Sequence, residues 1–230
     1  TLGSWAVDLN SRYKVNYKCN GSVSLTYSSD QVGEKGSTDF QQMRNFGVRW
    51  SHSQDAKARP GTSFSASVNF SSPSNNRYNS TSVTEALQNQ ISSSISYSKN
   101  WNGKVNLSVN ALHSQNSRDS SYSFTLPNVT LSVSRFYPFK RKNRVGKEKF
   151  YEKFSLGYNT SFQNKIGFKA KEFNKPGFWD KFQNGMTHNF QIGLPNFTLF
   201  KYINVTPSVQ YGMNWYFRKN EKEYNPETGK

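Results

Sequence analysis

One pattern near the C-terminal end runs unbroken for sixteen residues and restricts the fold more than any other feature. Ile203, Val205, Pro207, Val209, Tyr211, Met213, Trp215 and Phe217 alternate with Asn204, Thr206, Ser208, Gln210, Gly212, Asn214, Tyr216 and Arg218. A period of two belongs to an extended strand, whose successive side chains leave opposite faces; a helix would scatter the same residues around its circumference. The strand therefore has an apolar and a polar side, and Tyr216 is the one large aromatic residue on the polar side.

The same period returns along the chain. Phe64, Ala66, Val68 and Phe70 alternate with Ser65, Ser67, Asn69 and Ser71, and Val105, Leu107, Val109 and Ala111 alternate with Asn106, Ser108 and Asn110. Further strands are expected at Trp5 to Tyr17, Val23 to Tyr27, Phe46 to Trp50, Ile91 to Tyr97, Phe124 to Val133, Phe154 to Phe162 and Met186 to Leu194. That makes about ten. Their polar partners are mostly Ser, Asn, Thr and Gln, which suit a wet lumen, whereas a helical surface favours Glu, Lys and Ala. Only Thr81 to Asn89 reads as a short loop helix.

Composition selects among β folds. The chain is 33% hydrophobic with a mean hydropathy of -0.84, too little for a conventional two-sided core. Its 16% aromatic content sets it apart from disordered chains. A barrel facing lipid outside and water inside needs only every second strand residue to be apolar. No run of 18 apolar residues is present, so a transmembrane helix is excluded and any membrane crossing must use strands. The expected fold is all-β: an antiparallel transmembrane barrel segment of about ten amphipathic strands, part of a larger barrel. Residues 1–230 read as one segment without a domain boundary, and the missing initiator Met and signal segment suggest a piece of a longer mature chain. Cys19 is the only cysteine, which leaves no partner for a disulfide within the segment and no cysteine metal cluster.

Connections are expected to alternate between short and long, as outer-membrane barrels require. Cys19-Asn20-Gly21 and Asn100-Trp101-Asn102-Gly103 read as tight turns, because Asn-Gly readily takes the positive φ of a hairpin. Ser28 to Asp39, Ser72 to Gln88 and Asn164 to Asn184 read as longer connections. If the first turn is periplasmic, parity puts Gln54 to Gly61 and the basic Lys140 to Lys149 segment on the same side. Leu126-Pro127-Asn128-Val129-Thr130-Leu131 returns as Leu194-Pro195-Asn196-Phe197-Thr198-Leu199, and each proline is expected to break the strand ladder locally.

Charge bears on partners. Thirty Lys and Arg against 14 Asp and Glu give a net charge of +16, compatible with nucleic acid, anionic lipid or anionic glycolipid. The aromatics occupy the repeating apolar register, which favours a membrane over stacked bases, so nucleic acid is not an expected partner. The basic cluster reads first as a solvated hairpin loop and second as a contact for lipid phosphates. His52, His113 and His188 lie in or beside alternating strands with no GxSxG, HExxH or paired-carboxylate motif, so no enzyme activity, catalytic residue, metal or cofactor is expected. Eight Asn-X-Ser/Thr triplets fall in mid-strand, where polar, apolar, polar order produces them by chance. Trp5, Trp50, Trp101, Trp179 and Trp215 suit interfacial girdles.

Three segments carry a resemblance: Trp50 to Ser67 (with Asp55-Ala56-Lys57-Ala58-Arg59-Pro60-Gly61), Leu126 to Leu131, and Leu194 to Pro207. Together they resemble the barrel region of the lipopolysaccharide-assembly outer-membrane protein of the LptD/OstA family, over most of the chain. The resemblance implies a large barrel in the Gram-negative outer membrane. With a plug lipoprotein in its lumen, the barrel receives lipopolysaccharide from periplasmic bridge proteins and releases it to the outer leaflet. Family members carry a periplasmic jellyroll braced to the barrel by disulfides, and a lateral gate between first and last strands; this segment looks like the middle of the barrel. Arg44, Arg49, Arg135, Lys140, Arg141, Lys142 and Arg144 are the expected contacts for the anionic headgroup. Another outer-membrane barrel, porin or nutrient receptor, and a soluble β-rich adhesion module are the competing readings.

Overall fold

A computed structural model describes residues 3–72, 75, 89–143, 146–173 and 175–218. Ten strands form one antiparallel sheet in which each pairs with its neighbours in the chain. They are β1 (Trp5–Val15), β2 (Cys19–Val32), β3 (Gln41–Gln54), β4 (Thr62–Ser71), β5 (Gln90–Trp101), β6 (Val105–Asn116), β7 (Ser121–Phe136), β8 (Ser155–Lys169), β9 (Gln183–Gly193) and β12 (Ser208–Tyr216). Between β9 and β12 a small hairpin, β10 (Phe197–Leu199) with β11 (Ile203–Val205), forms a separate two-stranded sheet. The expected all-β fold of about ten strands is thus observed, as an open meander whose outer strands are β1 and β12. The helix expected at Thr81 to Asn89 falls, but for Asn89, outside the described residues.

Register turns ten alternating sequences into two continuous faces. Directly paired residues share a face, and the pairs Leu9↔Leu25, Leu25↔Val48, Val48↔Phe70, Ala66↔Ile95 and Ile95↔Ala111 run across one side. That side continues through Val109↔Val129, Val129↔Phe162, Phe162↔Met186 and Met186↔Trp215. The polar residues occupy the other side: Asn10↔Ser24, Ser51↔Ser67, Ser65↔Ser96, Ser96↔Asn110, Ser132↔Asn159, Asn159↔Asn189. Among the described residues Phe173 and Phe178 of the 170–182 connection cover the apolar side at Phe168, and Ala66, Ile91, Ile166 and Phe178 are the buried hydrophobic residues, while Val7, Leu9, Val209 and Tyr211 stand about half exposed. The half-exposed stretches of this face form the kind of extended apolar surface that meets lipid or another protein surface.

The turns follow local chemistry, with one correction. Asn102 and Gly103 take φ of 51° and 71°, the paired positive values of a tight hairpin turn, and Asn100 Oδ1 accepts from the Gly103 N–H at 2.6 Å. The first turn, however, is Asn16-Tyr17-Lys18, with Tyr17 at φ 59°, and Asn20 and Gly21 lie within β2. Gly21 is needed there for space. The Tyr13 ring lies across it, and a Cβ would sit 2.3 Å from Tyr13 Cζ.

Strand order places 16–18, 55–61, 102–104, 137–143, 146–154 and 194–207 at one end of the sheet, here the proximal end, and 33–40, 72, 89, 117–120, 170–173 and 175–182 at the distal end. The basic segment therefore lies at the same end as the first turn. Lengths alternate less strictly than expected. The 117–120 turn is short because Asn116 Oδ1 accepts from Arg118 N at 2.9 Å and Ser120 takes φ 53°. Both prolines break the ladder. Leu126 and Pro127 together face Asn164, whose Nδ2 donates to the Leu126 carbonyl at 2.8 Å. The long C-terminal alternation is interrupted at Pro207, which has no N–H to donate, so Ile203–Val205 pairs with β10 instead of the main sheet.

Candidate functional site

The apolar face carries two aromatic rows. Distally, ring centroids of Trp5 and Tyr27 lie 5.6 Å apart, Phe46 and Phe70 5.7 Å, Phe70 and Tyr122 6.1 Å, and Tyr122 and Phe168 5.6 Å. Proximally, Trp50 and Phe64 are 6.4 Å apart, Tyr158 and Phe190 4.8 Å, and Phe190 and Tyr211 6.1 Å. Aliphatic residues such as Leu25, Ile95, Ala111 and Val129 fill the band between. Tyr158 and Phe168 are ten residues apart in β8. At about 3.4 Å per residue this is about 34 Å along the strand, or about 25 Å along the normal at a tilt of about 40°. A lipid-facing apolar band has that height, roughly 25 Å. Trp101 sits at the proximal turn with Lys99 Nζ 4.9 Å from its ring centroid, while Trp179 lies in the exposed 170–182 connection.

All three histidines face this apolar side, and each ring is satisfied at Nδ1 by a hydroxyl. Trp50 Nε1 donates to the Tyr13 hydroxyl (3.0 Å), which in turn bonds His52 Nδ1 (2.7 Å). Ser93 bonds His113 Nδ1 at 3.2 Å and Tyr158 bonds His188 Nδ1 at 2.8 Å. The Nδ1 bonds offset part of the cost of placing a polar ring on this face, while the buried Nε2 atoms of His113 and His188 have no partner among the described residues.

The polar face is a field of small neutral groups. Ser22 and Ser51 hydroxyls meet at 2.8 Å, and Ser63 and Ser98 at 2.7 Å. Charge is sparse: Arg12, Lys14, Arg49, Lys165 and Lys169 lie among these hydroxyls, with Asp8 and Asp30. Such a surface stays wetted and offers hydrogen bonds to sugars without a strong fixed field.

The seven basic residues singled out in the sequence are not gathered in one place. Arg49, opposite Ser24 and Asn69, is on the polar face. Arg44, opposite Ser29, is five residues away and so on the apolar face toward the distal end. Arg135 lies in a ladder irregularity at the proximal end of β7, next to the connection that holds Lys140, Arg141 and Lys142; Arg144 lies outside the described residues. In that connection Arg141 pairs with the fully buried Glu152, which also accepts from the Lys149 N–H at 3.3 Å. The hydrogen bond that Arg141 donates to the Glu152 carboxylate raises the Arg141 pKa above its ordinary value.

A basic cleft at the distal end was not anticipated. Lys165, Gly167 and Gln183 of the polar face form its floor, and Asp180, Lys181, Phe182 and Arg218 its wall, enclosing about 820 Å³. Phe178 anchors the connection by packing on Phe168 (4.9 Å), and Lys181 Nζ meets Glu172 Oε2 at 3.1 Å. Lys165 and Arg218 both fall in the polar phase of their strands, a signal the alternation carries. The contribution of Lys181 depends on how the connection folds back.

A continuous antiparallel sheet with an aromatic-bordered apolar face and a hydroxyl-rich opposite face defines the class of transmembrane β-barrel walls. The family model described as LptD protein matches residues 1–230, and the chain belongs to that family. The family is an outer-membrane lipopolysaccharide-transport family and not an enzyme family. Neither a curated protein nor a solved structure matches the chain.

Proposed function

We propose that the chain forms part of the wall of a Gram-negative outer-membrane barrel that delivers lipopolysaccharide to the outer leaflet and performs no covalent chemistry. The observation that carries this reading is the division of faces over ten strands in a member of the LptD family. A hydroxyl-lined face accommodates the hydrated, phosphorylated sugar headgroup, while acyl chains stay against the apolar side. Residues 1–230 make one continuous segment, with β1 and β12 open to further strands of a larger barrel. A plug lipoprotein in the lumen, periplasmic bridge proteins and membrane lipid are its partners.

On this reading the basic residues are stations along a route. Arg135, Lys140, Arg141 and Lys142 meet the headgroup at the proximal end, joined by Arg144 as their neighbour in sequence, Arg49 meets it within the lumen, and Arg44 at the distal margin. Depletion of the full-length protein in its host should remove lipopolysaccharide from the cell surface while the protein fractionates with outer membranes. Unchanged surface lipopolysaccharide would return the function to a porin or nutrient receptor. Charge reversal at Lys140, Arg141, Lys142 and Arg144 together should lower delivery; full delivery would remove that cluster from the route.

A further inference from the structure

The distal cleft is continuous with a second one, of about 460 Å³, that shares Lys165, Gln183 and Arg218 and reaches Ser161, Asn214 and Tyr216. Together they form a groove on the polar face. We propose that this groove binds a phosphorylated saccharide, with the phosphate held by Lys165, Lys181 and Arg218 and the sugar ring stacked on Tyr216. The proposal rests on the translocon reading for the source of the saccharide and says where the headgroup is held.

Charge supports the phosphate. Lys165, Lys181 and Arg218 line the groove against one lining carboxylate, Asp180, and Glu172 beside it pairs with Lys181, so one cation more than the carboxylates remains. No carboxylate among the described residues pairs with Lys165. Arg218 is oriented through one nitrogen: Nη1 donates to the Asp180 carbonyl at 2.5 Å and lies 3.4 Å from Asp180 Oδ1. A guanidinium has five N–H donors, so the others stay available to a bidentate oxyanion. The cations come from β8, the 170–182 connection and the end of β12, which converge only in the folded sheet.

Tyr216 supports the sugar. It breaks the rule of its own face, where neighbouring residues are small and neutral, and it is 78% exposed. Its partner across the ladder is Gly185, where a Cβ would meet Tyr216 Cδ1 at 3.5 Å, an ordinary contact, so one edge of the ring rests beside Gly185 and the rest faces solvent. An exposed ring beside Ser161, Thr187 and Asn214 offers an apolar platform for sugar C–H groups with hydroxyl partners at its margin. A bare inorganic anion would use the cations and gain nothing from Tyr216.

The test uses the full-length protein with its partners in lipid nanodiscs, titrated calorimetrically with a phosphorylated glucosamine disaccharide, its dephosphorylated form and inorganic phosphate. The phosphorylated disaccharide should bind at least tenfold tighter than either control. Tyr216→Ala and the pair Lys165→Gln, Arg218→Gln should each weaken it tenfold or more, while Tyr216→Phe, which keeps the ring, retains it. Unaltered affinity in the variants overturns the proposal, as does phosphate that competes equally and ignores Tyr216→Ala. If the disaccharide binds as expected but depletion leaves surface lipopolysaccharide unchanged, the groove stands and the translocon reading falls.

Discussion

Ile95 and Ser96 are adjacent in β5 and point to opposite faces, so the same substitution at each tests the division of the sheet directly. Ile95 pairs with Ala66 and Ala111, and Ser96 with Ser65 and Asn110. Both stand near the middle of a 12-residue strand, between the two aromatic rows. At about 3.4 Å per residue and a tilt of about 40°, Ile95 lies roughly 13 Å from the distal strand end, which is the midplane of a band roughly 25 Å tall. Arginine on the lipid face at that depth costs about 2–4 kcal/mol. Three kcal/mol, taken as roughly the centre of that range, is about two orders of magnitude in the folded-to-unfolded ratio. On the water side the cost should stay below about 1 kcal/mol. Urea unfolding of the full-length protein from lipid vesicles measures both. Equal cost at the two positions, or a larger cost for Ser96→Arg, would refute the assignment of faces.

Three further outcomes follow from local geometry. Gly21→Ala drives a Cβ into the Tyr13 ring and the Ser51 carbonyl, so overpacking plus loss of the Tyr13 bonds to His52 and Trp50 should destabilise the protein by about 2–5 kcal/mol; a change under about 0.5 kcal/mol in the same unfolding assay would show that the ring moves freely. Glu152→Gln removes the carboxylate that holds Arg141 and the Lys149 N–H, and trypsin should then cleave the 137–154 connection several-fold faster in folded protein, with sheet stability unchanged. The Glu172 carboxyl is held below its ordinary pKa, first by Lys181 and then by the Lys169 N–H. Because its folded pKa is the lower one, the stabilisation is complete above the unfolded carboxylate range and fades as pH falls through the folded value; hydrogen exchange in 170–182 should rise on acidification, and Glu172→Gln should abolish that dependence.

Strand number and face were legible because a lipid-facing wall needs no information beyond a period of two. Strand length was not. Val23 to Tyr27 became Cys19–Val32 and Phe46 to Trp50 became Gln41–Gln54, because backbone pairing continues through polar residues beyond the apolar band, where alternation fades. Asn20-Gly21 looked like a turn because the same glycine that permits positive φ also clears room for Tyr13, and only the cross-strand neighbour decides which use applies. Arg44 and Arg49 differ by an odd number of residues, so parity alone separates their faces. The Arg141–Glu152 pair and the approach of Lys181 to Lys165 depend on how connections fold, and no strand period encodes that.

The repeated Leu-Pro-Asn-X-Thr-Leu string shows parity and pairing acting together, and makes a last test possible. Before Pro127 the apolar residues are even-numbered, Tyr122 and Phe124; after it they are odd, Val129, Leu131 and Val133, and the bulge at Leu126–Pro127 absorbs the extra residue. Ile192 and Leu194 before Pro195, and Phe197 and Leu199 after it, shift phase in the same way, with Leu194 still donating to the Pro207 carbonyl at 3.1 Å. Deleting Pro127 should turn β7 into a regular strand with every remaining side chain on its present face, and outer-membrane levels of the full-length protein should stay near wild type. Inserting one serine after Val129 should instead rotate Leu131 and Val133 to the water side and Thr130 and Ser132 to the lipid side. Losing two aliphatic burials at about 1.5–3 kcal/mol each gives roughly 3–6 kcal/mol, enough to block assembly of a marginally stable wall. If insertion and deletion are tolerated alike, the faces of this sheet are not set by register.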